Sequence, residues 1–196
     1  VLYGLYHADE GEIFLNGEQV HIDSPAAAID HGVGMIHQHF MLVPTLTVAE
    51  NVALGLKSSR GVLTDLGAVS KRIDDLASEY GLGIDPSALI WQLSVGERQR
   101  VEIIKALYRE ARLLILDEPT AVLTPQEVDQ LFGTLRQLTA GGRGLIFISH
   151  KLHEVLALSD RITVLRHGAV VGHSDPKTAT RESLANMMVG RAVTLR

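Results

Sequence analysis

The 196-residue sequence predicts an α/β fold in which a parallel-sheet core carries an antiparallel β ribbon and an inserted α-helical block. Three observations carry that expectation. Short apolar runs at 33–37, 113–116 and 144–148 alternate with helix-like segments, the pattern of strands joined by helical crossovers. Two short runs within 12–22 flank Asn16-Gly17, a strong tight-hairpin signal. Between 47 and 109 the apolar spacing is mostly helical, too long a block for a simple crossover.

Each element follows from local chemistry. Ser24-Pro25 opens a helix, with a side-chain cap and a proline at the first helical position, and Gly32 ends it before the strand at 33–37. Thr47 with Glu50 forms a capping box, and Ser70 is expected to cap a helix whose Ile73, Leu76, Ala77 and Tyr80 share one face. Ser94 with Glu97 makes a second capping box, ahead of Val101, Ile104 and Leu107 at core spacing. Beyond the strand at 113–116, Thr124-Pro125-Gln126-Glu127 combines a capping box with an N1 proline. A helix near 152–158, two strands meeting at His167-Gly168 and a last helix over 182–189 complete the chain.

Composition narrows the function classes. The length fits one domain, or a domain with an inserted subdomain, and suffices for a real core. With 46% hydrophobic and 21% charged residues the chain reads as globular, and its formal net charge of -5 disfavours a nucleic-acid surface. The absence of cysteine excludes disulfides and thiol catalysis. No apolar run approaches the ~18 to 20 residues of a membrane span, and Val1-Leu2-Tyr3-Gly4 shows no signal-peptide pattern. A soluble chain is expected, with any membrane role supplied by a partner.

Chemistry concentrates at the carboxyl ends of the expected strands, where open parallel sheets bind ligands. Asp117 and Glu118 follow four aliphatic residues and offer the hard oxygens suited to Mg2+ and to a nucleophilic water. Ser94, Gly96 and Glu97 begin a helix whose N-terminal dipole and close-approaching glycine suit a phosphate. Gln38 follows the strand at 33–37, and its amide offers a carbonyl to a metal and donors to a water. His150 follows the strand at 144–148 and can hydrogen-bond a terminal phosphate. Each feature also has an ordinary reading: a solvated turn, a capped helix, a loop glutamine, a structural histidine. The pairs His37/His39 and His150/His153 lack a familiar zinc spacing. Nowhere does the sequence contain the G-x-x-x-x-G-K-[ST] phosphate loop.

Taken in order, Gln38, Leu93-Ser94-Val95-Gly96-Glu97-Arg98-Gln99, Leu116-Asp117-Glu118-Pro119 and Ser149-His150 closely resemble the Q-loop, signature motif, Walker B strand and H-loop of ABC-type ATPases. Leu2-Tyr3-Gly4-Leu5-Tyr6 and Asp9-Glu10-Gly11-Glu12-Ile13 look like the segment just after that family's phosphate loop, so the sequence is expected to be an N-terminally truncated domain. The resemblance implies a P-loop NTPase-like (RecA-like) core over 1–196. Within it, 1–40 form partial core and β ribbon, 41–110 a helical subdomain, and 111–196 the core with Walker B and H-loop.

It also implies roles: Asp117 holds Mg2+ through water, Gln38 links the metal to a membrane partner, Glu118 polarises the attacking water and His150 contacts the γ-phosphate. Ser94, Val95, Gly96 and Glu97 would meet ATP bound by a second ATP-binding domain, in tandem or as a dimer. The implied partners are transmembrane permease subunits and, indirectly, a substrate-binding protein; no nucleic acid is expected, and the implied location is peripheral, on the cytoplasmic face of the membrane. One departure stands out: Ala121-Val122-Leu123-Thr124 ends in threonine where the family usually has aspartate. That departure, with His37 to Pro44 and Met188-Val189-Gly190-Arg191, is similar to the first ATPase half of tandem simple-sugar and nucleoside importers. Without the phosphate loop the chain is expected to be inactive alone. Two alternatives stay open: a catalytically silent interaction module built on the surface from Gln38 to Leu56, and a non-transport ABC-type ATPase.

Overall fold

The computed structural model describes residues 1–56 and 65–190; residues 57–64, within the expected helical block, and 191–196, with Arg191 of the closing motif, lie outside the described residues. The chain divides into two compact units, Val1–Ile146 and Phe147–Arg196.

The first unit opens with the hairpin. Strand β1 (Ile13–Leu15) pairs antiparallel with β2 (Glu18–Val20), with Ile13 opposite Val20. Asn16 and Gly17 turn at φ 52° and 84°, the two positive values a type I′ hairpin requires. Helix α1 (Pro25–Asp30) begins where the Ser24 hydroxyl accepts the Ala27 N–H at 3.2 Å and ends at Gly32, whose φ of 77° suits glycine. Ala28 packs with Ile22, Val33 and Ile115 beneath the ribbon residues Ile13, Leu15 and Val20.

Strand β3 (Val33–Ile36) is one residue shorter than expected, and β4 (Leu113–Asp117) one longer. They run parallel, with Val33 opposite Leu113 and Ile36 opposite Leu116. The sheet order is β3-β4-β5, with β5 spanning Gly144–Ile148. Leu114 and Leu116 are fully buried on one face and Ile115 is buried on the other, as expected of a strand covered on both faces.

Between β3 and β4 lie helices α2 (Val48–Ala53), α3 (Leu66–Glu79) and α4 (Val95–Tyr108), which pack on one another. Both expected capping boxes form, Thr47 with Glu50 and Ser94 with Glu97. Ser70 does not start α3. The Asp65 carboxylate accepts the Ala68 N–H at 3.1 Å and starts the helix there, so Ser70 sits inside it, where only its polarity resembled a cap. Val69, Ile73 and Leu76 of α3 and Ile103, Ile104 and Leu107 of α4 are buried, each contributing about 2 kcal/mol before the entropy of ordering is counted. After β4, α5 (Pro125–Ala140) starts with the expected Thr124–Glu127 box and buries Leu131, Leu135 and Leu138.

In the second unit, α6 (Leu152–Leu158) leads to the antiparallel pair β6 (Ile162–Arg166) and β7 (Ala169–Ser174), which turn at His167 and Gly168 with φ of 51° and 76°. Helix α7 (Arg181–Val189) is capped by Thr180 and closed by Gly190. Ile162, Val164 and Leu184 form this unit's core, joined by Leu152, Val155 and Met187. No helix among the described residues is long and apolar enough to cross a membrane.

Candidate functional site

Strand β4 delivers the two carboxylates. Asp117 is its last residue and Glu118 follows at φ 49°, both half-buried. A glutamate in the left-handed region is held there by its surroundings, and such strain concentrates at functional turns. Pro119 and Thr120 behind it are buried, Thr120 completely. Ile36 faces Leu116 in the parallel register, so β3 and β4 finish side by side; Gln38 lies two residues past the end of β3, while Asp117 closes β4 and Glu118 follows it. The edge therefore holds an amide and two carboxylates at strand carboxyl ends, where ligands of parallel sheets sit.

The chain after Gln38 is clamped by residues the sequence reading did not single out. Glu102 of α4 is 5% exposed, and its Oε1 accepts the Met41 N–H at 2.7 Å; the Lys105 ammonium donates to the Met41 carbonyl at 3.2 Å. Asn51 of α2 is fully buried: its Oδ1 accepts the Val43 N–H at 2.7 Å, while its Nδ2 donates to the carbonyls of Val43 and Thr47. Their only sequence signal is polarity on an apolar helix face. Nothing in spacing reveals a partner 61 residues away.

Helix α4 presents the second part. The Ser94 hydroxyl accepts the Glu97 N–H at 3.3 Å, and the Glu97 carboxylate accepts the Ser94 N–H at 2.8 Å. That backbone bond, and then the Ser94 hydroxyl, hold the Glu97 carboxyl below the usual carboxylate range. Val95 is the first helical residue and stays partly exposed, while Gly96 is buried. The Gly96 N–H meets the Glu127 carboxylate at 3.2 Å, an acceptor from the first turn of α5.

A cleft of about 330 Å3 opens beside the Gln38 loop, lined by Tyr3, Leu5, His37, Met41, Leu54 and Lys105. Tyr3 stands edge-on to His37, with centroids 5.8 Å apart. Leu5 (53% exposed), Met41 (64%) and Leu54 (43%) present apolar side chains there.

His150 belongs to the second unit, where it follows β5 and is exposed. Its neighbour Ser149 accepts the Lys151 N–H at 3.0 Å and donates to buried Glu154 at 3.4 Å, which fixes the turn into α6.

A parallel strand pair with carboxylates at its carboxyl edge, a β ribbon and a helical block carrying a capped helix start together define a mixed α/β domain of the P-loop NTPase-like class. Solved structures of that architecture superpose on the chain. A nucleotide-free ATP-binding cassette from an ABC transporter matches with a TM-score of 0.78 at 22% identity, covering 95% of this chain and 76% of the other. The CbiO1 structure from Clostridium perfringens, part of the CbiONQ transporter complex, matches with a TM-score of 0.73 at 24% identity, over 90% and 70%.

Residues 1–121 match the ABC transporter family model, and the chain belongs to that family. Among similar proteins, the glucose import ATP-binding protein TsgD13 of Haloferax volcanii is 51% identical over 98% of this chain and 40% of its own length. The nucleoside import ATP-binding protein NupA of Lactococcus lactis is 47% identical over 98% and 38%, and the guanosine import ATP-binding protein NupO of Bacillus subtilis 46% over 100% and 38%. The chain thus spans about two fifths of the length of these relatives.

Proposed function

We propose that this chain is part of the ATP-binding subunit of an importer, coupling ATP hydrolysis to uptake of a sugar or nucleoside. The observation that carries the reading is the parallel β3–β4 pair, whose carboxyl ends lead into Gln38 on one strand and into Asp117 and Glu118 on the other. The names of the relatives, all import ATP-binding proteins for sugars or nucleosides, support the substrate class.

At this edge Asp117 and the Gln38 carbonyl fit Mg2+, which takes one or two carboxylates, keeps several waters and fills its shell with substrate phosphates. Among the described residues no cluster of three or more His, Asp or Glu side chains offers an all-protein cage, so one carboxylate plus waters and phosphates is the arrangement that suits this site. When bound, Mg2+ would neutralise charge on the β- and γ-oxygens. Glu118 acts as general base, accepting a proton from the attacking water as it adds to the γ-phosphorus; the β–γ bridging bond breaks and its electrons leave with the β-phosphate.

Ser94, Val95, Gly96 and Glu97 then present the α4 N-terminus to ATP held by a second ATP-binding domain, in tandem or as a dimer. Val95 (36% exposed) and Val122 (60%) leave apolar surface for that partner. The cleft at Leu5, Met41 and Leu54 takes a cytoplasmic segment of a permease, whose movement reaches Gln38 through the Met41 clamp. The subunit works peripherally on the cytoplasmic face of the membrane, with a substrate-binding protein reached only through the permease.

These 196 residues contain no phosphate loop and should turn over ATP poorly alone, because backbone cradle and lysine supply much of the phosphate binding. The test is Mg-ATP binding and hydrolysis by this chain beside a version carrying a phosphate-loop segment joined upstream of Val1. Binding and turnover by the extended chain alone support the reading. A folded extended chain that binds no Mg-ATP would overturn it in favour of an interaction module.

A further inference from the structure

Glu127 has no part in the nucleotide chemistry described above, yet beyond closing its own capping box it joins two helix starts within the first unit. Its Oε2 accepts the Thr124 N–H and hydroxyl at 2.9 Å each, closing the α5 capping box. Its Oε1 turns the other way and accepts the Gly96 N–H at 3.2 Å. An ordinary capping-box glutamate serves only its own helix. This one reaches a helix that starts 31 residues earlier, and the approach depends on glycine: a Cβ built at Gly96 would lie 2.8 Å from the carboxylate carbon and collide with the oxygen. A second link runs beside it, from the Arg100 guanidinium to the Gln130 side chain at 3.4 Å.

The Gly96 N–H is one of the few donors at the α4 N-terminus without a helical partner, and it is the one through which a phosphate would be recognised. An acidic side chain already fills it. We propose that Glu127 is a resident anion at the α4 N-terminus, a positioning residue that must give up the Gly96 N–H before the terminal phosphate of the partner domain's ATP can take it. This rests on the reading of Ser94 and Gly96 as phosphate-receiving. Thr124, the residue that replaces the family's aspartate, is the second anchor of the same carboxylate and accounts for the glutamate's fixed position.

The Thr124 bonds first, and the Gly96 N–H and Arg100 as lesser causes, hold the Glu127 carboxyl below its ordinary range, so it is an anion throughout the neutral region. Phosphate and Glu127 therefore compete charge for charge.

The first arm of the test needs no nucleotide. In the 196-residue chain the Gly96 amide resonance should move in Glu127→Gln and in Glu127→Ala at neutral pH, with Thr124 responding in both. A Gly96 resonance indifferent to both variants overturns the contact. The second arm titrates inorganic phosphate while following the Gly96 and Ser94 amides. Removing the competing anion should lower the half-saturating phosphate concentration by about fivefold or more in both variants. Glu127→Gln retains an acceptor for the Thr124 cap and guards against unfolding as the cause. Equal half-saturation in wild type and variants overturns the competition alone. No phosphate response in any protein, with the first arm positive, overturns the phosphate-receiving reading of Gly96 and the competition with it, leaving a purely structural tether.

Discussion

The Glu102 carboxylate accepts the Met41 N–H at 2.7 Å, and so ties the middle of the signature-bearing helix to the loop that follows Gln38. The bond crosses 61 residues of sequence and is made by a side chain only 5% exposed. Lys105, one turn further along α4, takes the Met41 carbonyl, so both backbone groups of one residue are held by one helix. Two parts of the proposed site are therefore mechanically one piece.

Breaking that clamp should be costly. Glu102→Ala leaves the Met41 N–H unpaired and is expected to lower stability by about 2 kcal/mol, the range for a lost hydrogen bond to a charged acceptor. Glu102→Gln keeps an acceptor and should cost about half as much. Urea unfolding of the two variants measures the difference; equal loss would show that the negative charge, which glutamine lacks, rather than packing or a neutral acceptor, sets the cost.

Much of the fold was legible because it is written in nearest-neighbour chemistry. Asn16-Gly17 and His167-Gly168 are turns whose backbone angles their residue types favour, and the Thr47, Ser94 and Thr124 caps each reach only three residues ahead. The failure at Ser70 has the same root. Asp65 and Ser70 are both good caps, and deciding between them requires knowing that the buried face begins at Val69. Glu102, Lys105, Asn51 and Glu127 were illegible for a different reason: each bonds a distant backbone group, and no periodicity encodes the far partner. Asp117, Glu118 and Gln38 fell between the two, since an apolar run ending in polar residues marks a strand's exit but not which strand lies beside it.

Asn51 offers an independent check on the same loop. It spends one acceptor and two donor bonds on Val43 and Thr47 from a fully buried position. Asn51→Leu keeps the volume but strands those groups, and should cost about 2 to 3 kcal/mol. Asn51→Asp retains the bond from the Val43 N–H yet places a carboxylate against two carbonyls. Its stability should recover as pH is lowered and the carboxyl protonates, a trend absent from the leucine variant and readable in urea titrations at two pH values.

The backbone of Glu118 predicts a conflict between stability and turnover. At φ 49° a Cβ is strained, and glycine is not. Glu118→Ala and Glu118→Gly both delete the carboxylate, so their difference isolates the backbone: the glycine variant should be the more stable by about 1 kcal/mol. Both should lose turnover by about 100-fold or more in the chain extended with a phosphate loop, as removal of a general base requires. Thermal unfolding and a phosphate-release assay read the two effects separately.

Acid should act through the capping carboxylates. Glu50, Glu97 and Glu127 each accept the N–H and engage the hydroxyl of their own cap residue, and each carboxyl lies below its ordinary value for that reason first. A carboxyl depressed in the folded state gives stability that is complete above the unfolded value of about 4.3 and is lost as pH falls through the folded value. The chain should therefore show flat stability from neutrality down to about pH 5 and a decline below it. Glu50→Gln, Glu97→Gln and Glu127→Gln should each flatten that decline; an unchanged acid slope in all three would move its origin to other carboxylates.

Gly34 tests how closely the sheet and the signature helix are seated. A Cβ there would stand 3.0 Å from the Ala111 Cβ, 3.0 Å from Leu114 Cδ2 and 3.2 Å from the Ala106 Cβ, so methyl groups from α4, from the α4–β4 connection and from β4 would each have to give by a few tenths of an ångström. Gly34→Ala should cost about 1 to 3 kcal/mol, the penalty for overpacking a filled core. The strain would fall where β3 meets α4, two residues before the strand's end and four before Gln38. Pairing Gly34→Ala with Ala106→Gly should return part of the loss, because the second change removes one of the three opposing methyls. Recovery in a double-mutant unfolding series would show that the β3–α4 contact is set by that close approach, and strict additivity would show that the alanine is accommodated elsewhere.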